Sequence, residues 1–138
     1  MYLEALKTLP DLTIGYGHFL ADTVTCSRCG HTYDTYHEKM TDVNIAISMM
    51  TDAHQDRFDM ALLVSADSDL VGPVKSVRVL FPAKRVVVAF PPGRSSKALI
   101  AAASGFTHIG PDALSKSVFP DEILKADGYV LRRPQRWH

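Results

Sequence analysis

Residues 58 to 70 read FDMALLVSADSDL, an apolar run, continuous from Met60 to Val64, that ends in two carboxylates. Continuous apolar character over so short a run predicts a strand buried on both faces. Upstream, MTDVNIAISMMTDA has apolar residues at 43, 46, 47, 50 and 53 and predicts a helix, with Thr41 as its cap and Asp42 in its first turn. Ile45 and Met49 widen the apolar stripe, so deep burial is expected. Downstream, Pro73 behind Gly72 suits a first helical position and predicts a helix over PVKSVRVLF. KRVVVAF reads as a buried strand stopped by PPG, SSKALIAAAS as a serine-capped helix, FTHIG as a short strand and PDALSKSV as a proline-started helix.

The first residues, YLEALKT, read as a short helix stopped near Pro10, and LTIGYGHF from about Leu12 reads as a strand interrupted by glycines. Residues 20 to 37, LADTVTCSRCGHTYDTYH, look like an excursion with β-prone arms and a C-x-x-C-G turn at the tip. A tail begins at about Phe119. Strands alternating with helices predict an α/β fold, with a mostly parallel sheet covered by helices on both faces. Ligands of such sheets collect at the carboxyl ends of the strands, which is where Asp67 and Asp69 fall.

At 138 residues one domain spanning 1–138 is expected. Lys plus Arg balances Asp plus Glu, 15 against 15, so the overall field gives no push toward nucleic acid. No apolar run approaches the ~20 residues of a membrane span. The start, MYLEALKTLPDL, lacks the apolar segment of a secretory signal, and a cytoplasmic location is expected. In that compartment Cys26 and Cys29 are more readily a metal site, a redox pair or plain thiols than a disulfide.

Asp67 ends a strand and Asp69 lies in the turn before a helix, so the two can converge above the sheet edge. Asp42, opening the preceding helix, can reach the same rim if the entering chain is long enough. Three carboxylates there would make a hard-oxygen site for Mg2+ or Mn2+, whose charge offsets their repulsion. The plainer reading is that Asp42 and Asp69 only cap free helix N–H groups. D-S-D-L-V also fits the D-x-D-x-[TV] signature of haloacid-dehalogenase-like phosphatases, but sits mid-chain with no acidic pair on a later strand.

The stretches E-K-M-T-D-V-N-I-A, F-D-M-A-L-L-V-S-A-D-S-D-L-V-G-P-V and K-R-V-V-V-A-F together resemble the NYN domain, the LabA-like branch of the PIN-like metal-dependent ribonucleases. The resemblance extends to the C-x-x-C-G excursion, the P-P-G-R loop and the D-G-Y-V-L-R-R-P tail. It implies a three-layer α/β/α sandwich and divalent-metal-dependent cleavage of RNA, single-stranded RNA being the expected substrate. Carried onto this chain, Asp42, Asp67 and Asp69 would be the metal-binding and catalytic carboxylates, with Lys39 and Ser65 in supporting positions. Two departures stand out. Ser48 occupies a position where relatives often carry an acid. The chain also begins at MYLEALKTLP, which resembles the helix after the family's first strand, so the I-D-x-x-N motif and its ligand are missing. An N-terminally truncated form, inactive or reduced to an RNA- or partner-binding remnant, is the expectation that follows.

C-S-R-C-G-H resembles a zinc-knuckle tip, in which two thiolates take half of a tetrahedral site. His18 and His37 lie eight residues either side of the pair, but in a straight hairpin at ~3.3 Å per residue they stand over 20 Å from the tip. They can pair with each other across the ladder. His31 is near, a fourth ligand is absent, and a second copy in a homo-oligomer could supply it. Arg94 and Lys97, beside a helix start, suit an RNA phosphate. Arg132, Arg133, Arg136 and Trp137 could grip single-stranded RNA by charge and stacking, and rank below Arg94. His54, His108 and His138 receive no role.

Overall fold

The computed structural model describes residues 1–135. It shows the expected α/β class, and the chain forms two compact units, Gly15–Ile109 and a second built from Met1–Ile14 with the residues from Gly110 on.

The larger unit opens with an antiparallel hairpin, β1 (His18–Thr25) and β2 (Thr32–Lys39), whose register runs unbroken from His18 opposite Lys39 to Thr25 opposite Thr32. The strand expected from Leu12 therefore starts only at His18, since residues 12 to 17, with Gly15 and Gly17 among them, have no ladder partner. Helix α2 (Thr41–His54) follows after Met40 alone, and β3 (Met60–Val64) follows the helix. A short 3-10 turn, Ser68–Leu70, leads into α3 (Val71–Leu80). That turn moves the helix start upstream of the expected position, so Pro73 is the third helical residue rather than the first. It is still within the first turn, where the missing N–H costs nothing. Then come β4 (Arg85–Phe90), α4 (Lys97–Ala102) and β5 (Gly105–His108).

Strands β3, β4 and β5 pair in parallel in that order, with Leu63 opposite Val88 and Val88 opposite Phe106. Side chains alternate across the sheet, so Leu63, Val86, Val88 and Phe90 share one face. They form the core with Met49 and Ala53 of α2, Val74 and Val77 of α3, and Leu99 and Ala102 of α4. On the opposite face Met60, Leu62 and Val64 are exposed, so β3 is buried on one face and not on both as its apolar run predicts. Arg78 ties two of the covering helices together, donating through Nη1 to the carbonyls of Ala102 (2.6 Å) and Ala103 (3.2 Å) at the end of α4. Lys84 is buried just before β4, where its Nζ donates to Asp56 Oδ1 (2.5 Å) and to the Phe58 carbonyl (2.6 Å).

The second unit holds α1 (Tyr2–Leu6), α5 (Pro111–Lys116) and a small hairpin of β6 (Glu122–Leu124) and β7 (Val130–Arg132). These two strands lie in what the sequence presents as a tail; Gly128, at φ 83°, lets the chain turn between them. Within this unit Tyr2 stacks edge-on against Phe119, with centroids 6.3 Å apart, and Leu131 is buried. Among the described residues no helix is long and apolar enough to cross a membrane.

Candidate active site

The register that sets Val64 beside Ala89 brings the carboxyl ends of β3 and β4 together, and the chain emerging from each builds one wall of a cleft. From β3, Ser65 Oγ accepts the N–H of Asp67 at 3.1 Å, and Asp67 Oδ1 accepts the N–H of Asp69 at 3.0 Å. Asp67 thus caps the Ser68–Leu70 turn, and one of its oxygens is engaged while the other is not held by that bond. From β4, Pro91–Arg94 forms a tight turn, closed by the Arg94 N–H to the Pro91 carbonyl (3.1 Å) and permitted by Gly93 at φ 69°. Between the walls lies an open cleft of about 510 Å³ lined by Asp42, Ser65, Asp67, Ser68, Pro91 and Arg94.

Asp42 reaches this cleft because of how α2 begins. Met40 stands at φ 80°, a left-handed conformation rare for a long side chain, and turns β2 directly into the helix. The helix start is held by Glu38, whose Oε1 accepts the Thr41 N–H at 3.1 Å and also the Thr41 hydroxyl. Thr41, expected as the cap, is instead the first helical residue and is itself capped. Gly17 passes beneath this junction, where a Cβ would lie 2.8 Å from both the Lys39 carbonyl and Thr41 Oγ1. Asn44 Nδ2 donates to the Tyr16 carbonyl at 3.1 Å and ties the incoming chain to the helix.

Partial burial pushes the Asp42 carboxyl above the usual carboxylate range, and the charges of Asp67, Asp69 and Glu38 push it further. Four carboxylates thus share one region, and Asp42 feels the other three. A cation would relieve that repulsion, and the lining offers two carboxylates and two hydroxyls, all hard oxygens. Such a set suits Mg2+ or Mn2+, since Mg2+ is commonly held by one or two carboxylates and completes its shell with water and phosphate oxygen. Among the described residues no three His, Cys, Asp or Glu side chains stand close enough to hold one ion.

Asp42, Ser65, Asp67 and Arg94 are therefore brought together, whereas Asp69, Lys39 and Lys97 do not line the cleft. Asp69 acts there through its charge on Asp42. Lys39 ends β2 opposite His18, and Lys97 is the first residue of α4 behind its cap, Ser96, whose Oγ accepts the Leu99 N–H. Sequence reasoning missed Ser68 in the lining and Glu38 at the helix start. The E-x-x-T spacing before an apolar-periodic stretch was a usable signal for Glu38.

Two other regions bear on the expectations. At the hairpin tip, Cys26 N–H donates to the His31 carbonyl (2.8 Å) and Gly30 N–H to the Cys26 carbonyl (2.9 Å). The backbone N–H groups of Arg28 and Cys29, with the Cys29 thiol, hold the Cys26 thiol below its ordinary range. His18 and His37 share a face of the ladder as diagonal neighbours, facing Lys39 and Leu20. In the smaller unit, Arg132 pairs with Glu122 (3.1 Å) and Arg133 with Asp121 (3.3 Å). Arg136 and Trp137 lie outside the described residues. A pocket of about 240 Å³ in that unit is mostly apolar, with Tyr2, Ala5, Phe119, Ile123 and Leu131 among its lining.

A parallel α/β layer with carboxylates gathered where its strands end is the architecture of the nuclease-like PIN superfamily. Residues 14–110 match the NYN domain, and the chain belongs to that family. A solved structure of a protein of unknown function from Vibrio parahaemolyticus RIMD 2210633 is 31% identical over 51% of this chain, with a TM-score of 0.46. The match covers 42% of that protein, so the chain spans about two fifths of its length. A search of curated proteins finds no match.

Proposed function

We propose that this NYN domain cleaves phosphodiester bonds in RNA at the cleft between the ends of β3 and β4, with Mg2+ or Mn2+ bound to its carboxylates. The observation that carries the reading is that Asp42 and Asp67, from separate elements, line one cleft opposite Arg94 and share an unfavourable charge. A bound divalent cation supplies activation of water and neutralisation of developing charge on the leaving oxygen. Asp42 and Asp67 would hold it, and Asp69 adds negative charge at the edge. Ser65 fixes the Asp67 backbone and so the direction of its carboxylate. Arg94, five-donor and planar, suits a phosphate oxygen on the β4 side, with Lys97 three residues further along the chain as a second cation. The working compartment in this reading is the cytoplasm.

A second reading takes Arg94 in the cleft as a phosphate contact alone. In it the domain retains single-stranded RNA without cleaving it. Incubation of the full chain with single-stranded RNA and Mg2+ or Mn2+, beside Asp42→Asn, Asp67→Asn and Arg94→Ala, separates the two. Cleavage lost by more than about 100-fold in both Asp variants supports the enzyme, since even groups one step removed from a metal are worth 10- to 100-fold. Retention without turnover, weakened by salt and by Arg94→Ala, supports the binder. Equal cleavage by parent and Asp variants would remove this cleft as the active site. Mn2+ binding followed by electron paramagnetic resonance gives a readout independent of turnover.

A further inference from the structure

We infer that the C-x-x-C-G tip of the β1–β2 hairpin is half of a zinc site, and that a second copy of this chain completes it through the same four-residue turn. The tip has the form such a site needs. Gly30, at φ 72°, and the paired bonds between Cys26, Gly30 and His31 curl the backbone tightly around the turn. Both thiols are free, with Cys29 exposed and Cys26 half-buried.

One chain cannot finish the tetrahedron. Zn2+ in a structural site takes four ligands, almost always Cys or His. The hairpin register is unbroken from Thr25–Thr32 down to His18–Lys39, so the arms do not fold back, and His18 lies more than about 20 Å from the turn. Among the described residues no third candidate joins the two cysteines in a metal-binding group. Two turns meeting tip to tip across a two-fold axis supply four sulfurs, with each thiol giving its proton to solvent as the metal binds. Zn2+ with four thiolates carries a net charge of −2, and each turn contributes one Arg28, so charge is also balanced.

The ribbon behind the tip agrees with this occupant. A two-stranded hairpin alone is marginal in water, yet here both faces are open. Phe19 (71% exposed) and Tyr36 (65%) lie on one face, Leu20 and Tyr33 on the other. Joining two tips restrains both ribbons.

The test uses the full chain purified under reducing conditions with added Zn2+, then dialysed. Metal content by mass spectrometry and molar mass by light scattering should give one zinc per two chains and a dimer. Cys26→Ser, Cys29→Ser or a chelator should remove zinc and halve the mass, while His31→Ala leaves both unchanged. Cobalt substitution should show the visible absorption of a four-sulfur tetrahedral centre. A monomer with one zinc per chain that His31→Ala releases would overturn the bridged site, and so would a chain that retains no metal. Circular dichroism of each variant separates metal loss from unfolding. The result stands apart from RNA cleavage, whose residues are Asp42 and Asp67.

Discussion

Replacing Lys84 with methionine removes a buried cation while keeping most of its apolar stem. Only 9% of the Lys84 side chain is exposed, its Nζ donates to the Phe58 carbonyl at 2.6 Å, and it lies 5.3 Å from the centroid of the Phe58 ring. A hydrogen bond from a charged donor is worth ~1.5–3 kcal/mol, and leaving the carbonyl without it forfeits that amount. The cation–π contact adds ~0.5–1 kcal/mol. The ion pair adds little, because its partner Asp56 is 87% exposed and the charge is screened. The sum is ~2–4 kcal/mol, which at this chain length lowers Tm by roughly 6–20 °C. Urea and thermal unfolding followed by circular dichroism measure it directly. Asp56→Asn should cost far less than Lys84→Met, and high salt should change the parent little. If Asp56→Asn matched Lys84→Met, the ion pair rather than the carbonyl bond would hold the turn, and the reasoning would fail.

Three further outcomes are expected. Asp42 has its carboxyl pKa raised on folding, so it favours the fold below its unfolded pKa and loses that contribution as pH rises through its folded pKa. Asp42→Asn should therefore raise Tm near neutral pH, an effect that fades in acid, and should abolish any rise in Tm that Mn2+ gives the parent; a neutral-pH loss of stability refutes it. Met40→Gly relieves the left-handed backbone at φ 80°, and a gain of ~0.5–1 kcal/mol is expected in chemical denaturation. Gly17→Ala places a methyl 2.8 Å from the Lys39 carbonyl and Thr41 Oγ1 and should cost ~1–3 kcal/mol, with weaker metal binding at Asp42 as the sign that the helix start has moved.

Elements with a strong period or a continuous apolar run were legible in the sequence. Helix α2, strand β3 and strand β4 fall where the apolar positions place them, because each supplies side chains to the same core. Residues 12 to 17 have strand-like composition but no partner to pair with, and composition carries no information about partners. Strands β6 and β7 are three residues each, too short for a period, although the A-D-G turn between them marks a hairpin. At the site, Asp42, Asp67 and Arg94 were legible from motif and strand end. The capping of Thr41 by Glu38 was signalled only by the E-x-x-T spacing, because its geometry depends on the left-handed turn at Met40, which no propensity favours.

A single residue, Met40, separates the last ladder pair from the first turn of α2, and this sets which parts of the chain tolerate changes of length. The ribbon can gain or lose two residue pairs from its arms and change little but its own reach, because side-chain facing and the hydrogen-bond pattern of an antiparallel ladder repeat every two residues. The junction has no such freedom. Met49 and Ala53 anchor α2 in the core, so one extra residue inserted between Asp42 and Met49 would swing the carboxylate about 100° around the helix axis. Variation in hairpin length is thus compatible with an intact cleft, whereas a single insertion in the first turns of α2 is not.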